Sequence, residues 1–163
     1  MKRIQFIALI MLVIVVSGCG FQLRGTASLP EALSRLQLIN DGLNVGQFRQ
    51  LSDMLVKAGA ALQSTDGNDS VQLKVKMISL PERNLVDSAN TGKTIVQVSK
   101  RLSYSVKKAD DGVTPLQIKI IERQVNIEQD SNNLLGTGSE KEAAEKTLEQ
   151  ALFSQLVFQL KRL

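Results

Sequence analysis

Val71-Gln72-Leu73-Lys74-Val75-Lys76-Met77 and Val96-Gln97-Val98-Ser99-Lys100-Arg101-Leu102-Ser103-Tyr104-Ser105-Val106 are the stretches on which the fold turns. In the first, Val71, Leu73, Val75 and Met77 alternate with Gln72, Lys74 and Lys76. In the second, Val96, Val98, Leu102, Tyr104 and Val106 share one phase, with Lys100 as its exception. Gln97, Ser99, Arg101, Ser103 and Ser105 share the other. Successive side chains of a strand point to opposite faces. Each stretch therefore predicts a strand with one apolar and one polar face, and a sheet of such strands needs covering helices on one side only.

The remaining elements follow outward from these two. Asp110-Asp111-Gly112 predicts a hairpin turn, with a fourth strand from about Leu116. Its apolar phase is even at Leu116, Ile118 and Ile120, then odd at Val125 and Ile127. A strand cannot change face by itself, so a bulge or break is expected at 121–124. Residues 82–93 read as a polar connection containing Asn90-Thr91-Gly92. Upstream, residues 35–39 predict a short first strand, and Asn40-Asp41-Gly42 a turn. Asn44 is placed to cap a helix over 45–58, whose Phe48, Leu51, Leu55 and Ala58 recur on one face. Gly59 fits its C-terminal stop.

Downstream, residues 130–138 read as a loop, with Ser139 and Glu142 spaced as a capping box. A helix then runs to the end of the chain. Its stripe is Ala144, Leu148, Ala151, Leu152, Leu156, Leu160 and Leu163, flanked by Phe153, Val157 and Phe158. That arc is broad enough for either deep burial or a partner. The order β-α-β-β-β-α predicts an α+β two-layer sandwich: a four-stranded, mostly antiparallel sheet covered on one face by two helices.

The N-terminal region carries an address rather than a fold. Lys2 and Arg3 precede an apolar run over 4–16, interrupted only by Gln5. As a helix the run spans roughly 20 Å, short of the ~30 Å hydrocarbon core, so residues 1–18 read as a cleaved signal peptide. Val16-Ser17-Gly18-Cys19 resembles the lipobox of bacterial lipoproteins, which makes Cys19 the expected site of diacylglyceryl attachment and N-acylation. Each buried CH₂ contributes about 0.8 kcal/mol, so three chains make a lasting anchor. Gly20, rather than Asp, after the cysteine fits sorting to the outer membrane. Residues 19–34 read as a lipid-anchored tether reaching about 50 Å when extended. Residues 35–163 read as a single domain.

Composition narrows the chemistry. The chain has 163 residues, no histidine and one cysteine. Cysteine–histidine and serine–histidine catalysis and the usual zinc sites are thereby excluded. No phosphate loop or dinucleotide fingerprint is present. Carboxylate pairs are not excluded by sequence, but nothing points to them. A protein that is not an enzyme, with no cofactor and no metal, is expected. The net charge of +4 falls to +2 once Lys2 and Arg3 are removed, which gives no general case for nucleic acid.

Cys19-Gly20-Phe21-Gln22-Leu23-Arg24-Gly25, followed by Leu29-Pro30 and the strand at 36–39, resembles the start of mature chains in the LptE family of lipopolysaccharide-assembly lipoproteins. The resemblance implies a four-stranded sheet packed by two helices. It also implies an outer-membrane β-barrel partner of the LptD type, plugged by the lipoprotein, and binding of lipopolysaccharide on its way to the outer leaflet. Phosphate recognition in the family suggests Arg83, Lys93 and Lys141, each also readable as an ordinary surface charge. Lys74, Lys76, Arg101 and Lys119 read either as a solvated strand face or as a face against the barrel wall. A scaffold lipoprotein of another outer-membrane assembly machine is the competing expectation.

Overall fold

The two alternating stretches lie side by side as β3 (Val71–Ser79) and β5 (Lys93–Lys107). They run antiparallel, with Lys74 opposite Ser105 and Lys76 opposite Ser103. This computed structural model describes residues 28–63, 70–88, 92–107, 117–130 and 134–163. The signal segment, Cys19 and the expected turn at 110–112 lie outside the described residues. β1 (Arg35–Asn40) joins β3 in parallel, after a crossover through α1 (Val45–Lys57). A two-residue β2 (Ala61–Leu62) extends the sheet beyond β1. On the other edge of β5 lies β6 (Lys119–Asp130), followed by the long α2 (Leu134–Leu160).

The expected polar connection at 82–93 is partly strand. β4 (Arg83–Ser88) pairs with the N-terminal part of β5, on the edge that β3 occupies farther along. β3 and β4 thus act as one long strand broken at 80–82. The break falls at Pro81, which has no N–H to give to a ladder, and Leu80 N–H still reaches the Ser99 carbonyl at 3.0 Å. The register shifts once more between Asn84 and Val86.

Two further expectations are corrected. β6 has no bulge at 121–124: its pairing with β5 runs unbroken from Lys93–Asp130 to Tyr104–Lys119. The two apolar phases are simply two faces. Ile121 and Ile127 are buried, whereas Ile118 and Ile120 stand 69% and 61% exposed. α2 begins five residues before Ser139, whose hydroxyl donates to the Gly136 carbonyl at 2.8 Å instead of capping. Thr137 anchors that earlier start. Its hydroxyl accepts from Asp130 N–H at 3.2 Å and faces the Asp130 carbonyl at 3.3 Å, tying the first turn to the end of β6.

α1 follows its sequence closely. Asn44 Oδ1 accepts from Gln47 N–H at 2.8 Å and Gln47 Oε1 from Asn44 N–H at 3.0 Å, a complete capping box. Gly59 ends the helix at φ 98°, a conformation that costs glycine little.

Both helices cover the same sheet face. Leu51 and Leu55 of α1 meet Leu152, Phe153, Leu156 and Leu160 of α2 over Leu36, Leu73, Val75, Leu102 and Tyr104. A smaller cluster joins Val96, Val98, Ile127 and Leu148. Phe153 and Val157 therefore answer the broad arc of α2 by burial. Phe158 stays 57% exposed, with the Arg162 guanidinium 5.1 Å from its ring centroid. The packed domain also begins before Arg35, within the expected tether. Leu29 and Leu33 are buried, and Leu29 N–H donates to the Ala58 carbonyl at 2.9 Å.

Candidate functional site

The sheet has a covered face and an open face, and each carries its own polar chemistry. On the covered face Lys100 interrupts an apolar row. Its side chain is 4% exposed and meets Glu145 at 2.9 Å and Glu149 at 2.5 Å. Glu149 also accepts from Gln47 Nε2 at 2.7 Å, which ties α1 into the group. Arg123, directly opposite Lys100 on β6, donates to Gln155 at 2.8 Å. Two like charges paired across strands repel; α2 answers with acceptors. The sequence signal was Glu145 and Glu149, four apart and so on one helix side, but only the packing brings them to Lys100.

Burial pushes the Lys100 amine down, but the hydrogen bonds and charges of Glu149 and Glu145 outweigh it and leave the pKa above the ordinary 10.5. Burial likewise raises the Tyr104 phenol above 10.0; that hydroxyl donates to Gln159 at 2.6 Å. Both groups hold a proton more tightly folded than unfolded. Their contribution is fully present below the unfolded values and is lost as pH rises through the folded ones. Melting temperature is therefore expected to fall above about pH 10, and less steeply in Lys100→Met, which has no amine to titrate. Parallel curves for variant and parent would remove Lys100 from this account.

The open face is built from Lys74, Lys76 and Ile78 on β3, Gln97, Ser99, Arg101, Ser103 and Ser105 on β5, and Ile120, Glu122 and Gln124 on β6. Lys74 pairs with Asp41 at 3.2 Å. Arg101 donates to Glu122 through Nε at 3.1 Å and Nη2 at 2.9 Å. Lys76 makes no ion pair with the described residues. A depression of 300 Å³ lies here, lined by Asp41, Lys74, Lys76, Ser103, Ser105 and Ile118 among others.

The basic residues singled out from sequence do not all converge: Lys141 reaches the chain next to Arg83, and Lys93 lies apart. Lys93 starts β5 and pairs with Glu128. The hydrogen bond and charge of Glu128 raise its pKa. Lys141, in the N-terminal part of α2, pairs with Glu82; that hydrogen bond raises its pKa too. Arg83 follows Glu82 in the chain and lies opposite Gln97. Lys93 lies opposite Ser88, four residues away along β5, or roughly 13 Å. Lys119 does not belong to the open face. It pairs across from Tyr104 on the covered side, beside a 210 Å³ pocket lined partly by Pro30, Leu33 and Leu163. What sequence missed on the open face is the pair of exposed isoleucines, because Ile118 and Ile120 looked like core. Among the described residues no cluster of three potential metal ligands occurs, and no helix is long and apolar enough to cross a membrane.

The helix-backed sheet has counterparts among bacterial lipoproteins of known structure. The minor lipoprotein from Acinetobacter baumannii superposes with a TM-score of 0.65 at 14% identity, over 82% of this chain and 94% of that one. The rare lipoprotein B from Shewanella oneidensis gives 0.64 at 16% identity, over 77% and 91%. The uncharacterized lipoprotein B from Nitrosomonas europaea gives 0.60 at 20% identity, over 87% and 90%. At these identities the likeness establishes the fold. No family model and no curated protein sequence matches the chain.

Proposed function

We propose that this chain is an outer-membrane lipoprotein of the LptE type. Acyl groups on Cys19 anchor it, an LptD-like β-barrel encloses it, and it helps pass lipopolysaccharide to the outer leaflet. The observation that carries this reading is the coincidence, in one chain, of the Cys19-Gly20-Phe21-Gln22-Leu23-Arg24 start with a fold shared by solved lipoproteins over most of both chains. Barrel interiors are polar, and the serines and ion pairs of the open sheet face, apart from its isoleucines, suit such surroundings. In this reading Arg83, Lys93 and Lys141 meet phosphates through charge-assisted hydrogen bonds, with Lys93 and Lys141 exchanging Glu128 and Glu82 for the ligand. The protein's work is binding and placement rather than bond chemistry.

The test is purification through a C-terminal tag from the outer-membrane fraction. The expected product is a one-to-one complex with a large β-barrel, in which the lipoprotein's mass corresponds to a chain starting at acylated Cys19. A mature chain starting elsewhere without acyl groups would refute the anchor. Recovery of the lipoprotein alone from membranes that contain the barrel would refute the plug.

A further inference from the structure

The registers of β3, β5 and β6 align two ranks across the open face. One runs Lys76–Ser103–Ile120. In the next, Lys74 lies opposite Ser105, and Ile118 stands just before the first residue of β6, on the far side of that serine. Neighbouring strands are about 4.8 Å apart, so the lysine and isoleucine walls stand roughly 10 Å apart at the backbone, and the ranks repeat every ~7 Å. The serines between them are short. Ser105 is 6% exposed, so it forms a floor and not a ridge. The result is a trough with ammonium groups on one wall and, on the other, aliphatic side chains 69% and 61% exposed. The two isoleucines offer an apolar wall to a ligand, and Lys76, which makes no ion pair with the described residues, favours an anion. A ligand that satisfies both walls carries an anionic group and an acyl chain at a common point, as a phosphorylated lipid does.

We propose that this trough binds the phosphorylated lipid end of lipopolysaccharide, with Lys74 and Lys76 on a phosphate and an acyl chain laid along Ile118 and Ile120. The choice of lipopolysaccharide as occupant rests on the function proposed above. The trough itself rests on the strand registers. Lys76 contributes a full charge, and Lys74 exchanges Asp41 for the phosphate.

The experiment uses the mature acylated protein in neutral alkyl-maltoside micelles, titrated with dodecyl phosphate and followed by amide chemical shifts. Saturable shifts centred on Ser103 and Ser105 are expected. The double variant Lys74→Glu/Lys76→Glu should bind at least about tenfold more weakly. An equal charge change behind the sheet, Arg49→Glu/Lys57→Glu on α1, should leave binding unchanged. Ile118→Ser/Ile120→Ser should weaken dodecyl phosphate at least about threefold and leave inorganic phosphate unaffected. Should the glutamate pair unfold the protein, Lys74→Gln/Lys76→Gln is judged by the same criterion. Unchanged affinity in a folded lysine variant overturns the trough.

Competitors separate the sources. Lipopolysaccharide should displace dodecyl phosphate, and phosphatidylglycerol should not; equal displacement by phosphatidylglycerol overturns the choice of occupant. If lipopolysaccharide binds parent and lysine variants equally, the trough fails and the proposed function stands. If dodecyl phosphate obeys the trough but lipopolysaccharide never displaces it, that function loses its ligand and the trough stands. Loss of the barrel in the lysine variants, with lipid affinity intact, would make the face a protein contact and overturn the proposal.

Discussion

Replacing Leu152 with alanine is expected to lower the unfolding free energy by about 2–5 kcal/mol, and Leu156→Ala by a similar amount. Both side chains are 0% exposed, in the main core between α2 and the sheet. Truncation removes buried methyl groups and leaves a space that a helix fixed at both ends cannot close. The two sites are one helical turn apart, so the double variant should deviate from the sum of the singles. Ser154, on the exposed side of the same helix, is the control. Its side chain reaches only the Gln150 carbonyl at 2.8 Å, and Ser154→Ala should stay within about 0.5 kcal/mol of the parent. Urea unfolding followed by far-ultraviolet dichroism measures all four. A Leu152→Ala midpoint equal to the parent's would show that the stripe faces elsewhere.

Lys100→Ala should cost a comparable amount, about 3 kcal/mol, by a different route. The variant removes a cation and leaves Glu145 and Glu149 without it, their side chains 34% and 14% exposed beside an apolar cluster. Most of the loss is the stranded charge and not the bond itself. Lys100→Met combined with Glu145→Gln and Glu149→Gln removes the charges together, so it should regain most of the stability. The same denaturation curves decide the matter. If the single change is harmless, the ion group contributes nothing. If the triple variant is no better than the single, stranded charge is not the reason. Amide exchange adds a positional check, since the loss should appear first near Leu148 and the small cluster it joins.

Local sequence determined the parts whose physics is local. Alternation fixed the faces of β3 and β5, because the period of two belongs to the backbone. Asn44, Gln47 and Gly59 fixed both ends of α1, because caps satisfy groups that a helix leaves unpaired. The lipobox and the run after Cys19 define the expected address of the protein without any fold at all. Other features depended on neighbours distant in the chain. Residues 83–88 look polar, yet β5 is long enough to pair with them after β3 has ended at Ser79, just before Pro81. Ile118 and Ile120 look like core, but the register with β5 turns them to the open face. Ser139 and Glu142 have the spacing of a cap, but Thr137 tied to Asp130 starts the helix earlier. Lys100 looks misplaced until α2 lays Glu145 and Glu149 beside it. The trough is of the same kind. Its lysines, serines and isoleucines come from separate segments, and only strand registers set them in ranks. Residue order carries periods and caps, which act within a few positions. Register and helix docking act between segments brought together by folding, so they decided which exposed residues share a surface.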